Sequence, residues 1–205
     1  MKKLISFALL FVLSSAAWAQ KTVYIPNEWR NPWPSDSLLY AEDDPDNKYT
    51  WSKSRSIESD NVIVFWDKYY GNTLPSKSPS AYQVNEQDLL NKCEAFFDLE
   101  INQLGFVDPA SSNLSKYKGM VLMNHTTEWV CYGGGYDYQV SALWLSPSTC
   151  KPVGHSVAHE VGHSFHYMCY SEHSGHKDSD TDNTGFHLAC GNGQALWEQT
   201  AQWQA

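Results

Sequence analysis

Between Glu86 and Leu104 the apolar residues Leu89, Cys93, Phe96, Phe97, Ile101 and Leu104 recur at intervals of three and four. That spacing stacks them on one face of an α-helix. Asn85 stands before the run as an N-cap, acids occupy its first turn, and Gly105 follows as a stop. The same period returns in Val157, Val161, Phe165 and Met168, which predicts a second helix starting near Val153 with this face against a core. Three short runs rich in β-branched and apolar residues, NVIVFW at 61–66, KGMVLMN at 118–124 and QVSALWLS at 139–146, predict strands. Between the last two, CYGGGYDY reads as a glycine loop; it lacks the G-x-G-x-x-G pattern opening a helix, so it carries no phosphate-binding signal. From Lys21 to about Asp60 there is no period at all. That stretch is dense in Pro, Asp, Asn, Ser and Trp and predicts an irregular segment laid over the domain by Trp29, Trp33 and Trp51, rather than a sugar-stacking platform.

The opening residues change the picture of where the chain works. Lys2 and Lys3 precede an apolar run from Leu4 to Leu13, and Ala17-Trp18-Ala19 has the small-x-small form of a leader cleavage site. The run is shorter than the ~20 residues a membrane span needs. The expected organisation is therefore a signal peptide at 1–19, an irregular N-terminal segment at 20–60 and one domain at 61–205, secreted or periplasmic and without a membrane anchor. The net charge of −9 becomes more negative once Lys2 and Lys3 leave, which excludes nucleic acid and anionic membrane as natural partners. The whole chain has 9 Trp, 12 Tyr and 8 Phe, of which only Phe7, Phe11 and Trp18 fall in the expected leader, so the remainder is a folded domain and not a disordered chain. All five cysteines follow the leader, where oxidation is permitted. The expected pairs, Cys131 with Cys150 and Cys169 with Cys190, bracket loops beside the second helix and leave Cys93 as a buried thiol.

Candidate chemistry concentrates in that helix. His159-Glu160-Val161-Gly162-His163 is H-E-x-x-H: two imidazoles one turn apart can share a Zn²⁺, while the glutamate between them reaches water instead of metal. Gly162 costs about 1 kcal/mol relative to Ala in a helix interior, so its presence predicts close approach by another backbone. Catalytic zinc takes three protein ligands plus water. In the longer H-E-x-x-H-x-x-G-x-x-H pattern, His166 occupies the glycine position and Cys169 the last histidine position, so that route to a third ligand is closed. Glu198 in GQALWEQTAQWQA is the leading candidate, followed by His187 and then His173, His176 and Asp182. Oxyanion donors or alternative ligands are sought among His166, Tyr167, Tyr170 and His187, with His155 and His166 otherwise read as groups outside the ligand set. Asp178, Asp180 and Asp182 match the start of an EF-hand loop. Asn183 and Ala189, however, stand where its glycine and bidentate glutamate belong, so Ca²⁺ is a weaker alternative there and a cleft-side loop the preferred reading.

The pair HEVGH and WEQTAQW resembles the gluzincin branch of zinc metallopeptidases, in which an H-E-x-x-H helix is joined by a downstream E-x-x-A helix. Residues 136–205 also resemble a zincin-like domain family of secreted bacterial proteins. The resemblance implies an α+β, zincin-like fold with a small mixed sheet, an edge strand beside the H-E-x-x-H helix, and a second helix bringing the third ligand. It implies His159, His163 and Glu198 as zinc ligands, Glu160 as general base, and Ala201 as the small residue that lets the two helices meet. Because the strand before a zincin's metal helix runs along the cleft, Ala142, Leu143 and Trp144 are the expected substrate edge, taking an extended peptide or protein. The expected activity is zinc-dependent peptide hydrolysis. The competing expectation is a catalytically degenerate zincin that binds protein or glycan. Gluzincins continue into a further helical lobe after the third ligand, so the resemblance implies that 61–205 is a domain open to truncation at its C-terminal side.

Overall fold

A computed structural model of the chain describes residues 20–29, 51–106, 108, 110–173 and 194–205. The expected leader lies outside these, as do Trp33, the Asp178–Asp182 candidate cation loop, His176, His187 and Cys190. The described chain is α+β. Five strands, β1 (Ser56–Glu58), β2 (Val62–Trp66), β3 (Gly119–Met123), β4 (Cys131–Tyr136) and β5 (Val140–Leu145), form one mixed sheet with three helices, α1 (Glu86–Asp98), α2 (His155–His173) and α3 (Gln194–Gln204). Strand order is β1-β2-β3-β5-β4, with β2, β3 and β5 parallel and both outer strands antiparallel to their neighbours.

The three parallel strands read as continuous apolar runs because both faces of the sheet are covered. Val62, Val64, Trp66, Val121, Met123, Leu143 and Leu145 face α1 and α2, meeting Leu89, Cys93, Phe97, Val157, Val161, Phe165 and Met168 in one cluster. Ile63, Phe65, Met120, Leu122 and Ala142 alternate to the other side and meet Trp29 and Trp51. Those two tryptophans are buried and stacked with ring centres 6.3 Å apart, so the irregular segment is held by aromatic packing as its composition predicts.

Helix α1 begins where expected, with the Asn85 side chain accepting the Asp88 N–H at 2.9 Å. Its last turn differs: after Asp98 the helix widens into a π turn over Leu99–Gln103 and stops at Gly105, which takes the left-handed φ of 60°. The glycine stretch is a strand and not a loop. Asp137 and Tyr138, both at positive φ, make the two-residue turn of the β4–β5 hairpin, closed by the Gln139 N–H on the Tyr136 carbonyl at 2.9 Å. The consequence is a correction. β5, with Ala142, Leu143 and Trp144, lies between β3 and β4, so these residues are interior to the sheet, and the edge beside the histidine helix is β4. A second correction concerns the thiols. Cys131 and Cys150 are free: the Cys131 thiol donates to the Ser156 carbonyl at 3.6 Å, and that of Cys150 contacts the Thr149 hydroxyl at 3.9 Å. Cys93 is a buried free thiol, as expected. No helix among the described residues is long and apolar enough to cross a membrane.

Candidate metal centre

Val157, Val161, Phe165 and Met168 are fully buried, which fixes the rotation of α2 about its axis. With that face pointing into the core, His159, Glu160 and His163 turn toward β4 and α3. Helix α3 crosses α2 at Gly162. A methyl group there would stand 3.2 Å from the Ala201 Cα and 3.3 Å from its Cβ and would overlap the Gln204 side-chain oxygen. The two small residues therefore set the interhelical distance, and Ala201 is fully buried in the contact. This is the close approach that a glycine in mid-helix predicts.

At that crossing Glu198 Oε2 lies 3.1 Å from His159 Nε2 and 3.4 Å from His163 Nε2. One donor atom from each of the three residues falls within 4.8 Å of the others. In a tetrahedral zinc site with bonds of about 2.0–2.1 Å, ligand atoms stand about 3.4 Å apart. The donor set and its spacing fit a divalent ion of that kind. Glu198 is half exposed and both imidazoles are largely covered, so the three donors open to solvent on the carboxylate side. Burial lowers the His163 pKa, and the Glu198 carboxylate opposes that shift. A neutral imidazole is the form that ligates.

Glu160 is placed differently. Its Oε2 accepts the Gly133 N–H at 2.7 Å, a bond between the general-base candidate and the middle of β4. Burial pushes its carboxyl up to about 7, the Gly133 N–H works against that, and the nearby Glu198 charge adds to it. Strand β4 reaches α2 only because it carries glycines. A Cβ on Gly133 would overlap the Glu160 carbonyl oxygen and come within 2.8 Å of His163 Cβ, and one on Gly135 would overlap the Tyr167 ring. Gly133 has no place among the residues expected from sequence. The period-two alternation of Tyr132, Gly134 and Tyr136 was the available signal, masked by the low strand propensity of glycine.

The remaining candidates fall elsewhere. His166 is buried behind His163, its Nδ1 3.4 Å from the Nδ1 of that ring, on the side away from Glu198, and its Nε2 2.9 Å from the Thr200 hydroxyl. Burial, with His163 and His159 nearby, pushes its pKa down to about 4. Tyr167 accepts the Tyr138 N–H on its hydroxyl at 2.8 Å and stacks on the Tyr138 ring. Tyr170 lies seven residues past His163, about 10 Å along the helix axis, with its ring against Tyr138. His155 lies at the exposed start of α2, 2.7 Å from Gln202. Burial raises the thiols of Cys131 and Cys150 to about 12 and that of Cys169 to about 11, so none of these three is an activated nucleophile.

Comparison with known proteins gives a family whose function is not known. No curated protein and no solved structure matches the chain. Residues 15–205, which include every element of the sheet and all three helices, match the family described as Family of unknown function (DUF6055), and the chain belongs to that family.

Proposed function

We propose that the protein is an exported zinc-dependent peptidase of zincin-like design, in which His159, His163 and Glu198 hold the ion and Glu160 is the general base. The observation that carries this reading is the convergence of three donor atoms from two helices within 4.8 Å, with a fourth side chain, Glu160, beside them and bonded to β4 instead. When bound, zinc supplies Lewis acidity that polarises a carbonyl and acidifies water. Glu160, oriented by the Gly133 N–H, takes a proton from the attacking water and returns it to the leaving amine. Strand β4 ends the sheet order on the side of Glu160, so an extended protein or peptide substrate that adds to this edge runs past the base. That role passes from Ala142, Leu143 and Trp144 to Cys131–Tyr136.

A second reading, a secreted protein- or glycan-binding module that holds metal and cuts nothing, is favoured by one observation: His166, Tyr167 and Tyr170 are all engaged away from the side of His163 that faces Glu198. Metal analysis and one variant separate the two. The expected result is one zinc per chain, lost in His159→Ala, and peptide cleavage that falls about 10²–10⁴-fold in Glu160→Gln while zinc stays bound. Zinc retention without cleavage of any protein or peptide tested selects the binding module. Failure to take up zinc removes both.

A further inference from the structure

His166 is 3% exposed, on a helix face that a leucine would fill at no polar cost. One side of its ring lies against Phe106, with centres 5.3 Å apart. Burying an imidazole there without partners is unfavourable. Its two nitrogens do have partners, and both belong to the elements of the metal centre. Nδ1 faces His163 Nδ1 at 3.4 Å, and Nε2 faces Thr200 Oγ1 at 2.9 Å, two residues from Glu198 on α3.

Proton counting then assigns the directions. If His163 ligates through Nε2, the atom that faces Glu198, its proton must sit on Nδ1. That N–H can only donate, so His166 Nδ1 accepts and His166 Nε2–H donates to the Thr200 hydroxyl. The arrangement closes a ring: His163 to His166 within α2, His166 to Thr200 across the helix crossing, and Thr200 back along α3 to Glu198. His159 has no equivalent; its Nδ1 is buried without a hydrogen-bond partner among the described residues. Among the described residues the two histidines therefore differ, one held from behind and the other not.

We propose that His166 and Thr200 are positioning residues for the metal centre, orienting the His163 ring and tying the glutamate-bearing helix to it, rather than ligands or oxyanion donors. This rests on the metal reading above and deepens it. Partners of a ligating histidine are worth about 10–100-fold in metal affinity.

The test uses the full chain and zinc alone, titrated against a chromophoric chelator, with thermal melts of the metal-free variants as a folding control. Expected are zinc binding about 10–100-fold weaker in His166→Leu, a smaller loss of the same sign in Thr200→Val, and recovery of most affinity in His166→Asn. The asparagine keeps an acceptor near the Nδ1 position. Thr200→Val exchanges a hydroxyl for a methyl and keeps the experiment decisive if the leucine variant does not fold. With cobalt at saturation, the visible bands shift in His166→Leu, a change that a purely structural role would not produce. Wild-type affinity in both His166→Leu and Thr200→Val, alongside lost binding in His163→Ala, overturns the positioning role and leaves the metal centre standing. Equal affinity in wild type and His163→Ala, or none in either, overturns the metal centre and the inference together.

Discussion

Glu100 sits in the π turn that ends α1, 2% exposed, with Oε2 lacking a hydrogen-bond partner among the described residues. Burial pushes its carboxyl from the ordinary 4.5 up to about 7. The folded state therefore holds a proton that the unfolded chain releases, and stability falls as pH rises from about 4.5 to about 7. The full shift corresponds to about 3 kcal/mol, and solvent screening reduces this to on the order of 1–2 kcal/mol. Glu100→Gln is expected to flatten that slope and to be the more stable protein at pH 8, which urea unfolding at pH 5 and pH 8 measures. A Glu100→Gln slope equal to wild type would mean the carboxyl is already ionised in the fold. The position carries no signal in sequence, where Glu100 is one more acid in a helix.

Two contacts at the element scale depend on missing side chains, and they differ in how they read from sequence. Gly162 announces itself, because a glycine between two candidate ligands in a helix is costly unless something approaches it. Gly162→Ala gains about 1 kcal/mol of helix propensity but must displace the Gln204 side chain and press on Ala201 at 3.2–3.3 Å, so the two effects offset and its stability should stay near wild type. Gly162→Val forces α3 outward and carries Glu198 with it; zinc affinity should drop about tenfold or more, read by the same chelator competition. Gly133 is the opposite case, since its run of three glycines resembles a loop. Its neighbour is backbone, the Glu160 carbonyl, which has no rotamer to move to. Gly133→Ala should cost about 1–3 kcal/mol and also loosen the Glu160 bond, seen as a lowered urea midpoint. An unchanged midpoint would show that β4 can stand further from α2.

Across the whole molecule the N-terminal segment is held to the hairpin that carries β4. Asp137, at the left-handed turn position, accepts the Tyr24 hydroxyl at 3.0 Å and the Asn27 N–H at 2.6 Å, while Trp29 lies edge-on to Tyr136 and Phe65. Residues 20–29 thus brace the far face of the sheet whose edge meets the histidine-bearing helix α2. Asp137→Ala removes the carboxylate oxygen that accepts both bonds and puts a Cβ residue without a local partner at positive φ, for an expected loss of about 2 kcal/mol. Asp137→Asn keeps an acceptor and tolerates the turn, so it should lose less. Urea unfolding gives the energies, and faster amide exchange confined to residues 20–29 and the hairpin would locate the effect. Exchange unchanged there would mean aromatic packing alone holds the segment.

Local periodicity was enough for whatever depends on neighbours three, four or two residues apart. The α1 stripe and its Asn85 cap, the buried face of α2, three apolar strands, and the placing of His159, Glu160 and His163 on one helical turn all follow from backbone geometry that any such spacing must obey. Contacts between distant segments were not legible in that way. The sequence ordered β5 next to α2 and so pointed to Ala142, Leu143 and Trp144, whereas the sheet inserts β4 outside β5, because a hairpin turn at Asp137-Tyr138 returns the chain beside its own next strand. Likewise only the crossing at Gly162 and Ala201 brings Glu198 to the two imidazoles, the nearer of which lies 35 positions earlier in the chain. Side-chain period specifies which face of an element is apolar; which element covers it is settled by long-range packing, and the candidate site lies where two such decisions meet.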